Sequence, residues 1–164
     1  ALALANAFVD QADGRKVSGT HAIMNVGAQW TNLVVMKDGA PYLVRDIPWG
    51  SEKLSRNMAE QLGMEETAVG AQLKQDTLPP TQFLEAMKVT CEGLVTDLQL
   101  SFDFFESRFG PPPGQLLVSG GLTKCPGFLE AVKTHVAQPL TLWTPSAGLS
   151  SQLAVAYGLA LRVP

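Results

Sequence analysis

The chain has 164 residues, 46% of them apolar and 16% charged, which is enough to bury a sizeable core and too apolar for a disordered segment. Its 12 basic and 15 acidic side chains are scattered and sum to a net charge of -3, so no basic field draws nucleic acid or an anionic lipid surface. No apolar run approaches the roughly 18 residues that a spanning helix needs, which argues against direct membrane insertion.

The opening ALALANAF carries Leu4, Ala7 and Phe8 at helical spacing and predicts a helix over residues 1–11. It lacks the basic flank and the length of a signal peptide, and a start on Ala1 within a helical pattern reads as a processed chain or an excised part of a longer one. The Gly, Asp and Ser content of DQADGRKVSG marks a loop. HAIMNV, TNLVVM and APYLVRDI are β-branched and apolar, and predict three antiparallel strands over about 21–27, 31–37 and 41–47. Asp38-Gly39 is a two-residue hairpin turn between the second and third.

After Pro48-Trp49-Gly50, Ser51 can cap a helix whose Leu54, Met58 and Leu62 recur every four residues up to Gly63. A weaker helix over 65–75 is interrupted by Gly70. The longest periodic segment starts after Pro79-Pro80 and stops at Gly110. Its Leu84, Met87, Cys91, Leu94, Leu98, Phe102, Phe105 and Phe109 draw one buried stripe along a helix of about 28 residues, weakened at Gly93. The rhythm changes after PPPGQ. QLLVSGG is a short strand running into a double glycine, Pro126 opens a helix through His135, and LTLW is another strand. SSQLAVAYGLALRV closes as a helix with Leu153, Ala156, Tyr157 and Ala160 on one side.

This order predicts an α/β fold, a mixed sheet flanked by helices with a small mainly helical lobe. Residues 1–50 and 111–164 would form the two parts of the α/β unit, and residues 51–110 the helical insertion. Cys91 and Cys125 allow one disulfide and fit a reducing compartment equally well. His21 and His135 have no Cys or His at metal-ligand spacing, so packing or surface roles are expected for them.

None of HExxH, GxSxG or GxxxxGK[ST] occurs, so the chemistry is sought at two glycine turns. In Asn25-Val26-Gly27-Ala28-Gln29-Trp30-Thr31 a tight bend between strands either aims successive amides at an anion or is a plain hairpin. Ser119-Gly120-Gly121-Leu122-Thr123 ends a strand just before a helix, where glycine leaves room for a flat ring or a phosphate, or makes a sharp turn.

Together with FFESRFG and LAVAYGLAL, the stretches NVGAQWTNLVVMKDGAPYLVRDIPWGSEKLSRNMAEQLGM and LLVSGGLTKCPGFLEAVKTHVAQPLTLWTP resemble the second half of the actin-like (RNase H-like) ATPase domain. The resemblance is to the PilM family of type IV pilus assembly proteins, relatives of the cell-division protein FtsA, and to their C-terminal half only. It implies that Gly27, Ala28, Gln29, Thr31 and Asn32 face the β and γ phosphates of ATP, and that Gly120, Gly121 and Leu122 line the adenosine. It also implies that Gly50, Ser51 and Leu54 border the nucleotide from the small lobe, that Glu92 approaches the base or ribose, and that Asn25 stands at the position nearest the Mg2+ ion.

Where that family's second phosphate loop begins with Asp, this chain has Asn25, which loses the charge that would help hold hydrated magnesium or orient water. Trp30 is bulky and either covers the ligand or fills its place. The resemblance therefore implies a cytoplasmic assembly adaptor that binds ATP and hydrolyses it poorly. Its expected partners are membrane proteins of pilus assembly, with self-association a further option and no nucleic acid. The competing readings are an active ATPase completed by an N-terminal half, and a nucleotide-free scaffold of a pilus or type II secretion system.

Overall fold

The structure is a computed structural model that describes residues 1–11 and 18–161; part of the expected loop between the first helix and the first strand, and the last residues of the closing helix, lie outside them. A single five-stranded mixed sheet organises the chain. It is built from β1 (Thr20–Val26), β2 (Thr31–Lys37), β3 (Ala40–Ile47), β4 (Leu116–Gly120) and β5 (Leu140–Leu142), in the order β3-β2-β1-β4-β5. β1 runs antiparallel to β2 and parallel to β4, β2 runs antiparallel to β3, and β4 runs parallel to β5. The β2–β3 turn has positive φ at both Asp38 (49°) and Gly39 (81°), the backbone that suits a two-residue hairpin to strand twist.

Side chains alternate across the sheet and divide the core in two. Ala22, Met24, Val26, Leu33, Val35, Leu116 and Val118 face the larger layer, made of α2 (Ser51–Leu62), α3 (Glu66–Leu73), α4 (Thr81–Phe109) and α5 (Phe128–Lys133). Ile23, Val34, Met36 and Leu117 face α1 (Leu2–Gln11) and α6 (Ala154–Ala160). α2 packs against both α3 and α4, and together they form a smaller helical lobe.

α4 is one helix of 29 residues because its buried side chains recur at threes and fours with no proline to break it. Its inner stripe includes Phe83, Met87, Cys91, Leu94, Leu98, Phe102 and Phe105. Leu84 and Phe109, expected in that stripe, are only half-buried, because Phe83 takes the inward place at the first turn and Phe109 ends the helix beside Tyr42. Arg45 on β3 bonds the Asp97 carboxylate at 3.0 Å and the Ser101 hydroxyl at 2.8 Å, tying the edge strand to α4.

The closing segment departs further from its sequence pattern. It starts as a 3-10 turn, Ser151–Leu153, and α6 buries Ala154 and Gly158 while Leu153, Ala156 and Ala160 stay exposed. Close approach to α1 decides this: a Cβ on Gly158 would collide with the Ala3 carbonyl, and Asn6 donates to the Gly158 carbonyl at 3.3 Å. The helix expected from Pro126 is also shorter, and a 3-10 turn, Gly121–Lys124, precedes it.

Candidate functional site

The two glycine turns come together at the C-terminal ends of the parallel pair β1 and β4. Gly120 has φ +101°, and a Cβ there would lie 2.6 Å from the Val26 nitrogen, so the turn after β4 packs directly on the end of β1. Gly50 makes a second close approach, since its Cβ would lie 2.7 Å from the Gly27 carbonyl oxygen. Only glycine fits at either place.

The 27–30 turn is closed by the Gly27 amide donating to the Trp30 carbonyl at 3.0 Å. Its own carbonyls point at α2: Ser51 N–H donates to Gly27 O and Glu52 N–H to Ala28 O, both at 3.0 Å. α2 has no side-chain cap, and this backbone contact supplies partners for the first two of its free amides. The loop and the helical lobe are thereby joined.

Between these parts lies a cavity of about 790 Å³, within the range of small-ligand sites. It is lined by Gly27 and Ala28, by Ser51, Glu52 and Ser55 of α2, and by Gly121, Leu122, Lys124 and Cys125, the two turns standing side by side because Val26 pairs with Gly120. Glu66, Thr67, Gly70, Leu73 and Lys74 of α3, with Asp76 beyond it and Gln152, complete it. Burial pushes the Cys125 thiol up to about 11, and the Cys91 thiol on α4 is pushed up to about 12 by burial first and by Cys125 second. Both are protonated and unreactive at neutral pH.

Of the residues singled out in the sequence, Gly27, Ala28, Ser51, Gly121 and Leu122 line the cavity. Gly50 and Gly120 stand behind its wall as the two close contacts. Gln29 is exposed and reaches the Glu52 carboxylate at 3.4 Å.

The others are placed elsewhere. Thr31 is fully buried, and its hydroxyl donates to the Trp49 carbonyl at 2.7 Å, so it secures the segment before α2 instead of facing the cavity. Asn32 points to the opposite face of the sheet and donates to Asp46 on β3 at 2.7 Å. Leu54 is a core side chain with no exposed surface. Glu92 lies on the solvent side of α4, away from its buried stripe, and is not part of the cavity wall. Trp30 is 51% exposed and neither covers nor fills the cavity.

Asn25 is buried at the end of β1, and its Oδ1 accepts from the Ser119 hydroxyl at 3.3 Å. A neutral amide already engaged in this way does not fit a hydrated Mg2+, which favours carboxylate oxygens. Among the described residues no three His, Cys, Asp or Glu side chains converge.

The contribution of α3 was not legible in its sequence. Glu66, Thr67, Gly70, Leu73 and Lys74 recur at threes and fours and so share one face, but with few large apolar residues the pattern reads as a weak helix. Gly70, which reads as an interruption, gives the wall a bare stretch of backbone opposite Ser55.

A family model described as type IV pilus assembly protein PilM matches residues 1–163. The structure of a PilM-PilN type IV pilus biogenesis complex matches with TM-score 0.77 at 18% identity, over 96% of this chain and 50% of that one. An archaeal actin homolog, Ta0583, in complex with ADP matches with TM-score 0.62 at 16% identity, over 96% and 54%. MreB 5 of Spiroplasma citri bound to AMPPNP matches with TM-score 0.69 at 10% identity, over 96% and 57%. A search of curated protein sequences finds no significant match.

The fold is therefore actin-like, and this chain spans about half the length of the solved structures it matches. A likeness confined to a C-terminal half is corrected by the same findings, because the PilM family model and the PilM-PilN structure both cover nearly the whole of this chain.

Proposed function

The chain belongs to the PilM family of type IV pilus assembly proteins, and on that premise we propose that it serves a pilus machine as a cytoplasmic assembly adaptor with a nucleotide held in the cavity described above. The observation that carries this reading is the meeting of the two glycine turns: Gly27-Ala28 and Gly121-Leu122 stand side by side and line one cavity together with α2 and α3. Fold relatives solved with ADP and with AMPPNP support a nucleotide as the ligand. Leu122 and the bare backbone at Gly121 and Gly70 suit a flat base, and Glu66 and Thr67 offer oxygens to ribose hydroxyls.

Hydrolysis is slow in this reading. Asn25 stands where a charged group would have to orient water or hold a metal, and as an amide it does neither. The ligand then acts through occupancy. Because the 27–30 turn is hydrogen-bonded to the start of α2, a nucleotide bridging the cavity walls holds the lobe against the sheet and favours one partner-binding form. Membrane proteins of pilus assembly are the proposed partners, in line with the PilM-PilN complex among the structural matches. No described helix is long and apolar enough to cross a membrane.

Calorimetric titration of the whole protein with ATP and ADP tests the reading. Saturable binding in the micromolar range, lost in a folded Gly121→Trp variant, is expected. An absence of binding at millimolar nucleotide would overturn it.

A further inference from the structure

α4 buries one stripe against the sheet and turns a second apolar stripe to solvent. On its outer face Val89, Gly93, Thr96, Leu100 and Phe104 follow one another at spacings of three and four, each one helical turn from the next. Val89, Leu100 and Phe104 are each about half exposed. The Thr96 hydroxyl in this line is already satisfied, since it donates to the Glu92 carbonyl at 2.9 Å. Single apolar residues on a surface are ordinary, but a line sustained over five positions is the pattern that packs on another helix.

Gly93 is a second observation. Glycine weakens helix interiors, yet here it stands on the exposed side of the longest helix, where a Cβ would meet nothing within 4 Å. Among the described residues no close contact requires it, unlike Gly50 or Gly158. Bare backbone in the middle of an apolar line leaves a gap that a side chain of another helix can fill.

Reversed, the line complements itself. With two copies of α4 antiparallel about a two-fold axis between Thr96 and Asp97, Leu100 of one copy lies level with Gly93 of the other, and Val89 with Phe104. Lys88 and Glu106 lie about five turns apart on one flank of the helix and come nearly level across the axis, an opposite-charge pair at each end. Glu92 and Asp103 share that flank and repel, and from Val89 to Phe104 the contact is only about 23 Å long, so the association is of the weak, reversible class.

We infer that the outer face of α4 is a self-association surface, on which a second copy of this chain docks its own α4 antiparallel with Leu100 seated over Gly93. None of the residues that line the cavity lies on α4, so the inference does not depend on what the cavity binds.

Sedimentation velocity of the whole protein over roughly 1–200 µM tests this, and the mass should rise from one copy to two with a midpoint of about 10–100 µM. Leu100→Glu, at an exposed position, should give a monomer with little change in thermal midpoint. Gly93→Ala should weaken association by about tenfold while raising the thermal midpoint, a combination that loss of folding does not produce. The register is read with oxidised glutathione: the Thr96→Cys variant should form a disulfide-linked dimer, and the Val89→Cys variant should not, because the two copies of that position lie about 22 Å apart along the axis. A protein that stays monomeric across the range would overturn the inference and leave the stripe to a different protein. A dimer that withstands both Leu100→Glu and Gly93→Ala would overturn it as well.

Discussion

Gly50 packs against the carbonyls of Gly27 and Ala28 so closely that no side chain fits between them, and the chain turns directly from this contact into α2. This contact joins the 27–30 turn of the sheet to α2, stitched by the Ser51 and Glu52 N–H donors. Gly50→Ala should push α2 away from the 27–30 turn, lower stability by about 1–3 kcal/mol, and weaken ligand binding beyond what the stability loss explains. Urea denaturation and calorimetry on the same samples check this; unchanged affinity in a folded variant would remove the contact from the site.

Thr31→Val separates two roles for one residue. The hydroxyl is buried against the Trp49 carbonyl, so its removal should cost about 1–3 kcal/mol by leaving that carbonyl unpaired. Nucleotide affinity should not change. A large loss of affinity with little loss of stability would return Thr31 to a phosphate-binding role.

Two glycines in helices should respond with opposite sign. A Cβ at Gly158 would strike the Ala3 backbone, which has no flexible end to move, so Gly158→Ala should destabilise by about 1–3 kcal/mol by prising α6 from α1. A Cβ at Gly93 meets nothing within 4 Å, so Gly93→Ala should stabilise α4 by about 0.5–1 kcal/mol. Midpoints of chemical denaturation, compared at constant slope, decide both.

The buried thiols give a pH dependence. Burial holds Cys91 at about 12 and Cys125 at about 11 in the folded protein, against an ordinary value of 9.0. Below 9.0 both states carry the proton and the thiols contribute no slope; above it the unfolded chain ionises first, so stability falls as pH rises toward 11 and 12. Cys91→Ala should flatten that fall in urea titrations run from neutral to alkaline pH, and native thiols should react with a disulfide reagent only on unfolding. Rapid reaction of both thiols in the native state at neutral pH would contradict their burial.

Local chemistry determined most of the elements. The strands around Asp38-Gly39, the helix from Ser51 and the long helix up to Gly110 follow from alternation, turn chemistry and periodicity, each read within a few neighbouring residues, although Ser51 starts its helix without capping it. The resemblance carried by the glycine turns pointed to an actin-like fold and the PilM family, which the matches show.

Contacts between distant segments decided the rest. Thr31 and Asn32 are neighbours in sequence, yet strand alternation sends one to a buried bond with Trp49 and the other across to Asp46. Glu92 lies on α4, but only the rotation of that helix, set by which stripe packs inward, shows that it faces solvent. α3 lines the cavity because it packs against α2, although its own pattern is weak. The need for glycine at position 158 is visible only with Ala3 against it. Periodicity and turn chemistry act over a few residues and can be read in order; which face a side chain takes and what it meets are set by packing between segments up to 155 positions apart, as in the Gly158–Ala3 contact.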